Sequence, residues 1–186
     1  MTAAATHAQA QSTSAATIRR LRPHEAAASV GALADVLIDC VHGGASVSFM
    51  APLPRDKALA FWRGVADGVA RNERVLLVAE DASGAIVGTV QLITAMPDNQ
   101  PHRADVAKML VHRRARRQGI AQQLMAAVDD AARGEHKTVL VLDTVTGGDA
   151  ERLYERAGWQ RVGVVPDYAL MPDGALCGTT FFCKRV

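Results

Sequence analysis

The stretch from Asp105 to Ala132, DVAKMLVHRRARRQGIAQQLMAAVDDAA, constrains the fold more than any other part of the chain. Asp105 to Val111 is a short apolar run with the make-up of a buried strand. His112 to Gln118 is a loop holding Arg113, Arg114, Arg116 and Arg117. Gly119 then opens a helix on which Ile120, Leu124, Val128 and Ala131 recur at i, i+4, i+8 and i+11, the spacing of one buried face. A strand, an arginine-rich turn, a glycine and a helix N-terminus in that order make a place to bind phosphate. Free N–H groups and the positive end of the helix dipole face the anion, and glycine lets it come close to the backbone.

Absent motifs narrow the choice of phosphate ligand. The chain has no GxxxxGK[ST], which excludes a Walker-type nucleotide loop, and no GxGxxG after a strand, which argues against a dinucleotide fold. Present instead is Arg116-Arg117-Gln118-Gly119-Ile120-Ala121, an R-x-x-G-x-[GA] pattern. On six residues alone, a surface arginine cluster capping a helix is the stronger account.

At 186 residues, with 49% apolar and 22% charged side chains, the chain has the size and composition of one domain with a sizeable core. A net charge of +2 is too small to argue for nucleic acid. Cys40, Cys177 and Cys183 lack metal-type spacing and cannot all pair within one chain, so a reducing cytoplasm is the simpler setting. The opening MTAAATHAQAQSTSAA has neither the basic start nor the apolar run of a secretory signal, and too few large apolar side chains to pack. Residues 1–16 are therefore expected to be a disordered tail, with one domain over residues 17–186. No apolar run reaches the length of a membrane span.

Order is expected from Thr17. TIRRLRP reads as a strand ended by Pro23, and Ala26 to Val41 as a helix with Val30, Leu33, Leu37 and Val41 on one face. HGGASVSFM breaks that helix into a loop, and after Pro54 a second helix runs to about Arg71. Val75–Ala79 and Ala85–Ile93 form a hairpin about Asp81-Ala82-Ser83-Gly84. Beyond the central stretch, Lys137–Asp143 is a strand ending in a carboxylate and Ala150–Ala157 a short helix stopped by Gly158. Trp159–Val165 and Thr179–Lys184 are closing strands around Pro172-Asp173-Gly174. The order β-α-α-β-β-β-α-β-α-β-β describes a mixed, mostly antiparallel α/β sheet with helices on both faces.

That order, the Arg116–Ala121 loop, and ERLYERAGW at Glu151–Trp159 together resemble the GNAT superfamily of N-acetyltransferases. The loop is similar to the superfamily's acetyl-CoA pyrophosphate loop, and ERLYERAGW to its C-terminal Tyr-Glu-x-x-Gly-aromatic signature at the expected distance behind. Within the superfamily, VHGGASVSFM, NQPHRADVAKMLV and PDYALMPDGAL are similar to the tabtoxin-resistance acetyltransferases, which acetylate an antimetabolite toxin. One departure stands out: many members carry Asn seven residues before the signature Tyr, where this chain has Gly147.

The resemblance implies a sheet of about seven strands splayed at the cofactor site, with acetyl-CoA as cosubstrate and no metal. The backbone of Met109, Leu110 and Val111 would pair with the pantetheine, the Met109 N–H lying nearest the thioester oxygen. Arg116, Arg117, Gln118, Gly119, Ile120 and Ala121 would hold the diphosphate. Asp105 would be a general base, directly or through water, although a strand-edge solubility residue accounts for it equally well on sequence alone. Asp143 would bind the amine or act as a second base, against the plain role of a turn or capping carboxylate. Tyr154 would protonate the leaving thiolate, where the usual fate of such a tyrosine is core packing.

His42, Gly43 and Gly44 would form the acceptor side, although a lone histidine beside helix-breaking glycines is more often a cap or loop hydrogen-bonder. The expected function is acetylation of a small-molecule amine, as in resistance to an amino-acid-type toxin or antibiotic. Protein or polyamine acetylation, or a CoA-binding module without turnover, are the alternatives. A homodimer is compatible with the sequence; nucleic-acid and membrane partners are not expected.

Overall fold

The computed structural model describes residues 16–186. The tail expected over residues 1–16 lies outside the described residues except for Ala16, which packs half-buried against the core.

In chain order the elements are β1 (Thr17–Arg20), α1 (Pro23–Ala28), α2 (Val30–His42), α3 (Arg55–Ala70), β2 (Arg74–Glu80), β3 (Ile86–Ile93) and β4 (Arg103–Val111). A single turn of 3-10 helix at Arg113–Ala115 leads into α4 (Ile120–Gly134). Then follow β5 (Val139–Val145), α5 (Asp149–Arg156), β6 (Gln160–Leu170) and β7 (Leu176–Arg185). The strands form one seven-stranded sheet in the order β1-β2-β3-β4-β5-β7-β6, antiparallel throughout except where β4 meets β5. This is the mixed, helix-flanked sheet expected from the sequence.

The sheet separates two cores. On one face α4 and α5 bury Ile120, Leu124, Val128 and Tyr154 against Val75, Leu77 and Leu92. On the other, α1–α3 bury Leu33, Leu37 and Trp62 against Leu76, Val78 and Leu110. The β2 side chains Val75 to Ala79 therefore alternate between two dry faces, which is why that strand reads as an unbroken apolar run rather than a polar–apolar alternation.

The largest departures from the sequence expectation lie in the first helix and in the closing hairpin. The helix expected over 26–41 is two helices, broken at Ser29, whose N–H bonds back to Glu25 and Ala26 while its carbonyl accepts from Leu33. Ala26, Val30 and Leu33 remain on the buried side across that break, so the apolar spacing carries no mark of it. The closing hairpin is also longer than expected, running to Leu170 and from Leu176. It passes Pro166 and Asp167 by a register shift between Val165 and Ala169, with Asp167 at φ 52°. A bulge absorbs residues that would otherwise end a strand.

Gly88 on β3 fixes how closely α4 lies on the sheet. A Cβ there would stand 3.2 Å from Ile120 Cγ2, Leu124 Cδ1 and the Leu110 carbonyl oxygen. Because Ile120 begins α4, this contact also places the helix N-terminus. Gly88→Val is expected to destabilise the fold by about 1–3 kcal/mol through overpacking. Urea denaturation of the variant and parent checks this, and unchanged midpoints would show that α4 can ride outward freely.

Candidate functional site

The parallel pairing of β4 with β5 covers only Arg103–Asp105 against Val139–Val141. Past that point β5 continues along β7, with Leu142 opposite Phe182 and Asp143 opposite Phe181, while β4 continues along β3. The two strands thus part like a wedge in the middle of the sheet. From Val106 to Val111, β4 has, among the described residues, no strand partner on its β5 side. Backbone groups in such a place call for a partner of their own.

A bulge sits on β4 within the wedge. Thr89 faces Leu110 and Gln91 faces Ala107, so Lys108 and Met109 together oppose Val90. Lys108 takes φ 52°, an uncommon left-handed backbone for a residue with a side chain. After the bulge, the side chain of Leu110 lies in the α1–α3 core, whereas Met109 and Val111 pack towards α4.

Beyond β4 the arginine turn sorts its cations. Arg113 donates through its backbone N–H and its Nε to the two carboxylate oxygens of Asp39, both at 2.8 Å. Arg114 pairs with Asp81 at 3.0 Å, and its N–H donates to His112 Nδ1 at 3.2 Å. These two arginines hold the turn to α2 and to the β2–β3 hairpin. Arg116 instead turns back to the Val111 carbonyl at 3.3 Å, and Arg117 has φ 61°.

Gly119, at φ 77°, is the N-cap of α4 and offers no side-chain acceptor, leaving the first-turn N–H groups open. Arg116, Arg117, Gly119, Ile120 and Ala121 line one bank of a groove, and Leu153 and Arg156 of α5 line the other. Gln118 is exposed on the turn, outside that lining.

At the other end of the wedge stand the ionisable groups. Asp143 is exposed on β5, two residues past its last pairing with β4. Tyr154 is buried on α5, its ring 5.9 Å from Phe182 and 6.1 Å from Trp159. Burial, and then the charge of Asp143, push the Tyr154 phenol well above its ordinary value. The Lys108 ammonium is held below the usual lysine range by burial, which the Asp143 charge opposes. Asp143 is therefore the carboxylate whose field reaches both groups. Asp105 stands at the vertex, opposite Val141, with its carboxylate paired to Arg103.

The acceptor-side residues are placed differently from one another. His42 Nε2 accepts from the Leu53 N–H at 3.1 Å and so pins the loop between α2 and α3. Gly43 lies so close to Arg113 Cδ that a Cβ would come within 2.9 Å, and Gly44 has φ 87°. The same loop reaches across to the closing hairpin: Ser46 Oγ donates to the Leu170 carbonyl at 2.8 Å, and Ala51 N–H to that of Pro172 at 3.0 Å.

Sequence reasoning passed over Lys108 and Arg156. For Lys108 a signal existed, a single cation inside an apolar strand; for Arg156, an unremarkable surface arginine, none did. Among the described residues no group of three or more His, Cys, Asp or Glu is placed to hold a metal, and no helix is long and apolar enough to cross a membrane.

Residues 72–161, just under half of the chain, match the model of the acetyltransferase (GNAT) domain. The chain is 34% identical over 113 residues to an N-acetyltransferase of the hisH-hisA intergenic region of Azospirillum brasilense, a match spanning 60% of this chain and 65% of that protein. The chain thus matches just under two thirds of that relative's length. Its fold is similar to ribosomal-protein-alanine N-acetyltransferase from Brucella melitensis, with TM-score 0.77 and 22% identity over 91% of this chain and 99% of that one. It is similar also to a phosphinothricin acetyltransferase from Sinorhizobium meliloti in complex with AcCoA, with TM-score 0.77 and 15% identity over 93% and 89% of the two chains. At such identities the solved structures show the fold.

Lys108 carries a cost in the unliganded protein that is open to measurement. Its folded pKa lies below its unfolded value, so the penalty is full below the folded pKa and fades as pH rises through it towards the unfolded one. Lys108→Met is therefore expected to raise the melting temperature at pH 7, with the gain over the parent shrinking at alkaline pH. A variant less stable than the parent at pH 7 would show that the serine and aromatic contacts of the ammonium outweigh its burial.

Proposed function

We propose that this chain is an acetyl-CoA-dependent N-acetyltransferase whose acceptor is the amine of a small, amino-acid-like molecule. The observation that carries this reading is the wedge between β4 and β5. An uncapped helix N-terminus with two arginines bounds it at one end, and Asp143 with Tyr154 at the other. The residues fit such a cosubstrate. Left-handed backbone at Arg117 and Gly119 suits a turn whose N–H groups converge on an anion, and Arg116, Arg117 and Arg156 add charge around it. When bound, acetyl-CoA supplies an acetyl group already activated as a thioester.

The protein's part is to position, polarise and move protons. The unpaired side of β4 at Met109, Leu110 and Val111 takes an extended ligand as a further strand, by backbone hydrogen bonds. The Met109 N–H, on the bulge, steadies the oxyanion that develops as the C–N bond forms. Asp143 attracts the acceptor's ammonium and removes its proton. Asp105, with Arg103 engaging its carboxylate, serves as a second base through water. Tyr154, a phenol protonated at neutral pH whose phenolate burial disfavours further, gives its proton to the sulfur as the C–S bond breaks. His42 contributes by fixing the loop over the acceptor, while Gly43 and Gly44 let that loop turn closely past Arg113.

The narrower acceptor class rests on the likeness of VHGGASVSFM, NQPHRADVAKMLV and PDYALMPDGAL to the tabtoxin-resistance acetyltransferases. The Sinorhizobium phosphinothricin acetyltransferase, similar in fold, is compatible with it. A screen of amines with acetyl-CoA, following free thiol, tests the proposal; thiol release with no acceptor in a broad panel would reject it.

Two substitutions separate cofactor binding from chemistry. Replacing Arg116 and Arg117 together with Ala is expected to weaken acetyl-CoA binding by about 1–3 kcal/mol per charge-assisted contact, read by calorimetry. Unchanged affinity would remove the turn from the cofactor site. Tyr154→Phe keeps the aromatic packing and deletes the proton; kcat is expected to fall roughly 10²-fold or more with acetyl-CoA affinity preserved. Equal turnover would return Tyr154 to a packing role.

A further inference from the structure

Lys108 is an ionisable group of the wedge to which the scheme above, for cofactor or proton, gives no task. Its amine donates to Ser48 Oγ at 3.1 Å and lies 5.7 Å from the centre of the Phe61 ring. Another half-buried lysine of the sheet, Lys184, is satisfied by the carboxylate of Asp129 at 2.6 Å and the carbonyl of Ala157 at 2.7 Å. Lys108 has a hydroxyl and an aromatic face instead and, among the described residues, no ion pair.

The surroundings of Lys108 are built. The lysine is at φ 52° on the bulge, and Ser48 is at φ 76°, both uncommon for residues with side chains. Ser48 belongs to the α2–α3 loop, which is held from three sides: by His42 at Leu53, by Leu170 at Ser46 and by Pro172 at Ala51. Phe61, on α3, stacks edge-on with Phe49 at 5.3 Å and with Trp62 at 5.1 Å. A cation kept on an aromatic wall, beside a fixed hydroxyl, is prepared for an anion that is not part of the protein. Asp143, on β5 beyond its pairing with β4, provides the opposite charge.

We propose that Lys108, with the Ser48 hydroxyl beside it, is the anchor for the carboxylate of the acceptor, while Asp143 faces its amine. This rests on the amine-acetylating reading and names its specificity-determining residue. A zwitterionic amino acid brings a partner for each of the two charges. A polyamine brings no partner for Lys108 and is disfavoured by its charge, and an amino-acid amide loses the ion pair while keeping its amine.

The test uses the full chain and two readouts. Binding of the proteinogenic L-amino acids and phosphinothricin, each against its carboxamide, is measured by calorimetry for the parent, Lys108→Met and Lys108→Arg. The parent is expected to bind at least one acid tenfold or more tighter than its amide. Lys108→Met reduces that preference to within about twofold, and Lys108→Arg retains most of it. A preference unchanged in Lys108→Met, or no acid bound more tightly than its amide by the parent, overturns the anchor. Thiol release with acetyl-CoA on the same panel separates the two proposals. A carboxylate preference that depends on Lys108, without any acetyl transfer, keeps the anchor and rejects the acetyltransferase reading. Acetyl transfer with equal KM for acid and amide in the parent and Lys108→Met does the reverse.

Discussion

The wedge between β4 and β5 is the constraint on which the rest of the structure depends. A seven-stranded sheet ordinarily satisfies its interior backbone groups strand by strand, and leaving a run of them unpaired costs free energy. Here that cost is held in place by packing on either side. β4 stays with β3, where Gly88 admits α4 closely, and β5 stays with β7, where Leu142 and Phe182 form the floor beneath α5. Closing the wedge would require pulling one strand from a partner it pairs with over most of its length. The opening is thus the consequence of two good pairings that diverge, rather than of one bad pairing.

The electrostatics follow from that divergence. β5 carries Asp143 past the vertex, and the β4 bulge carries Lys108 to the other lip. Burial lowers the pKa of the lysine and raises that of Tyr154, so the same low-polarity setting that burdens the cation keeps the phenol protonated. Asp143, exposed at the mouth, opposes the first shift and adds to the second. One carboxylate therefore acts on both a lysine and a tyrosine, so a change at Asp143 would be felt at both.

Much of this was legible in the sequence, and the rest was hidden for identifiable reasons. Element order and the turn from Arg116 to Ala121 were readable because strand and helix periods change abruptly at Gly119. The division of labour among the arginines was not, because it depends on Asp39 and Asp81, remote in sequence and brought close by the fold. Lys108 stood out as a cation in an apolar strand, but the face it takes was hidden by a bulge: strict alternation assigns faces by counting, and one extra residue reverses the count from there on. His42 carried two readings in its loop, substrate-facing or hydrogen-bonding within the loop; its ring nitrogen accepts the Leu53 N–H, the second of these, with a partner no spacing rule names.

The Gly147 departure can be argued from backbone geometry. Gly147 takes φ 79°, a left-handed conformation that glycine adopts freely and asparagine more readily than most other residues. Glycine in place of the more common asparagine therefore preserves the turn and loses only a side-chain amide. The turn is tied down from α5 instead: Glu151 Oε2 accepts the Gly147 N–H at 2.9 Å. Glu151 lies three residues before Tyr154, nearly one helical turn, so the carboxylate that holds the loop also sets the start of the helix that presents the phenol. Placement of Tyr154 thus passes through a glutamate on its own helix, and a change at Glu151 would shift the phenol without touching it.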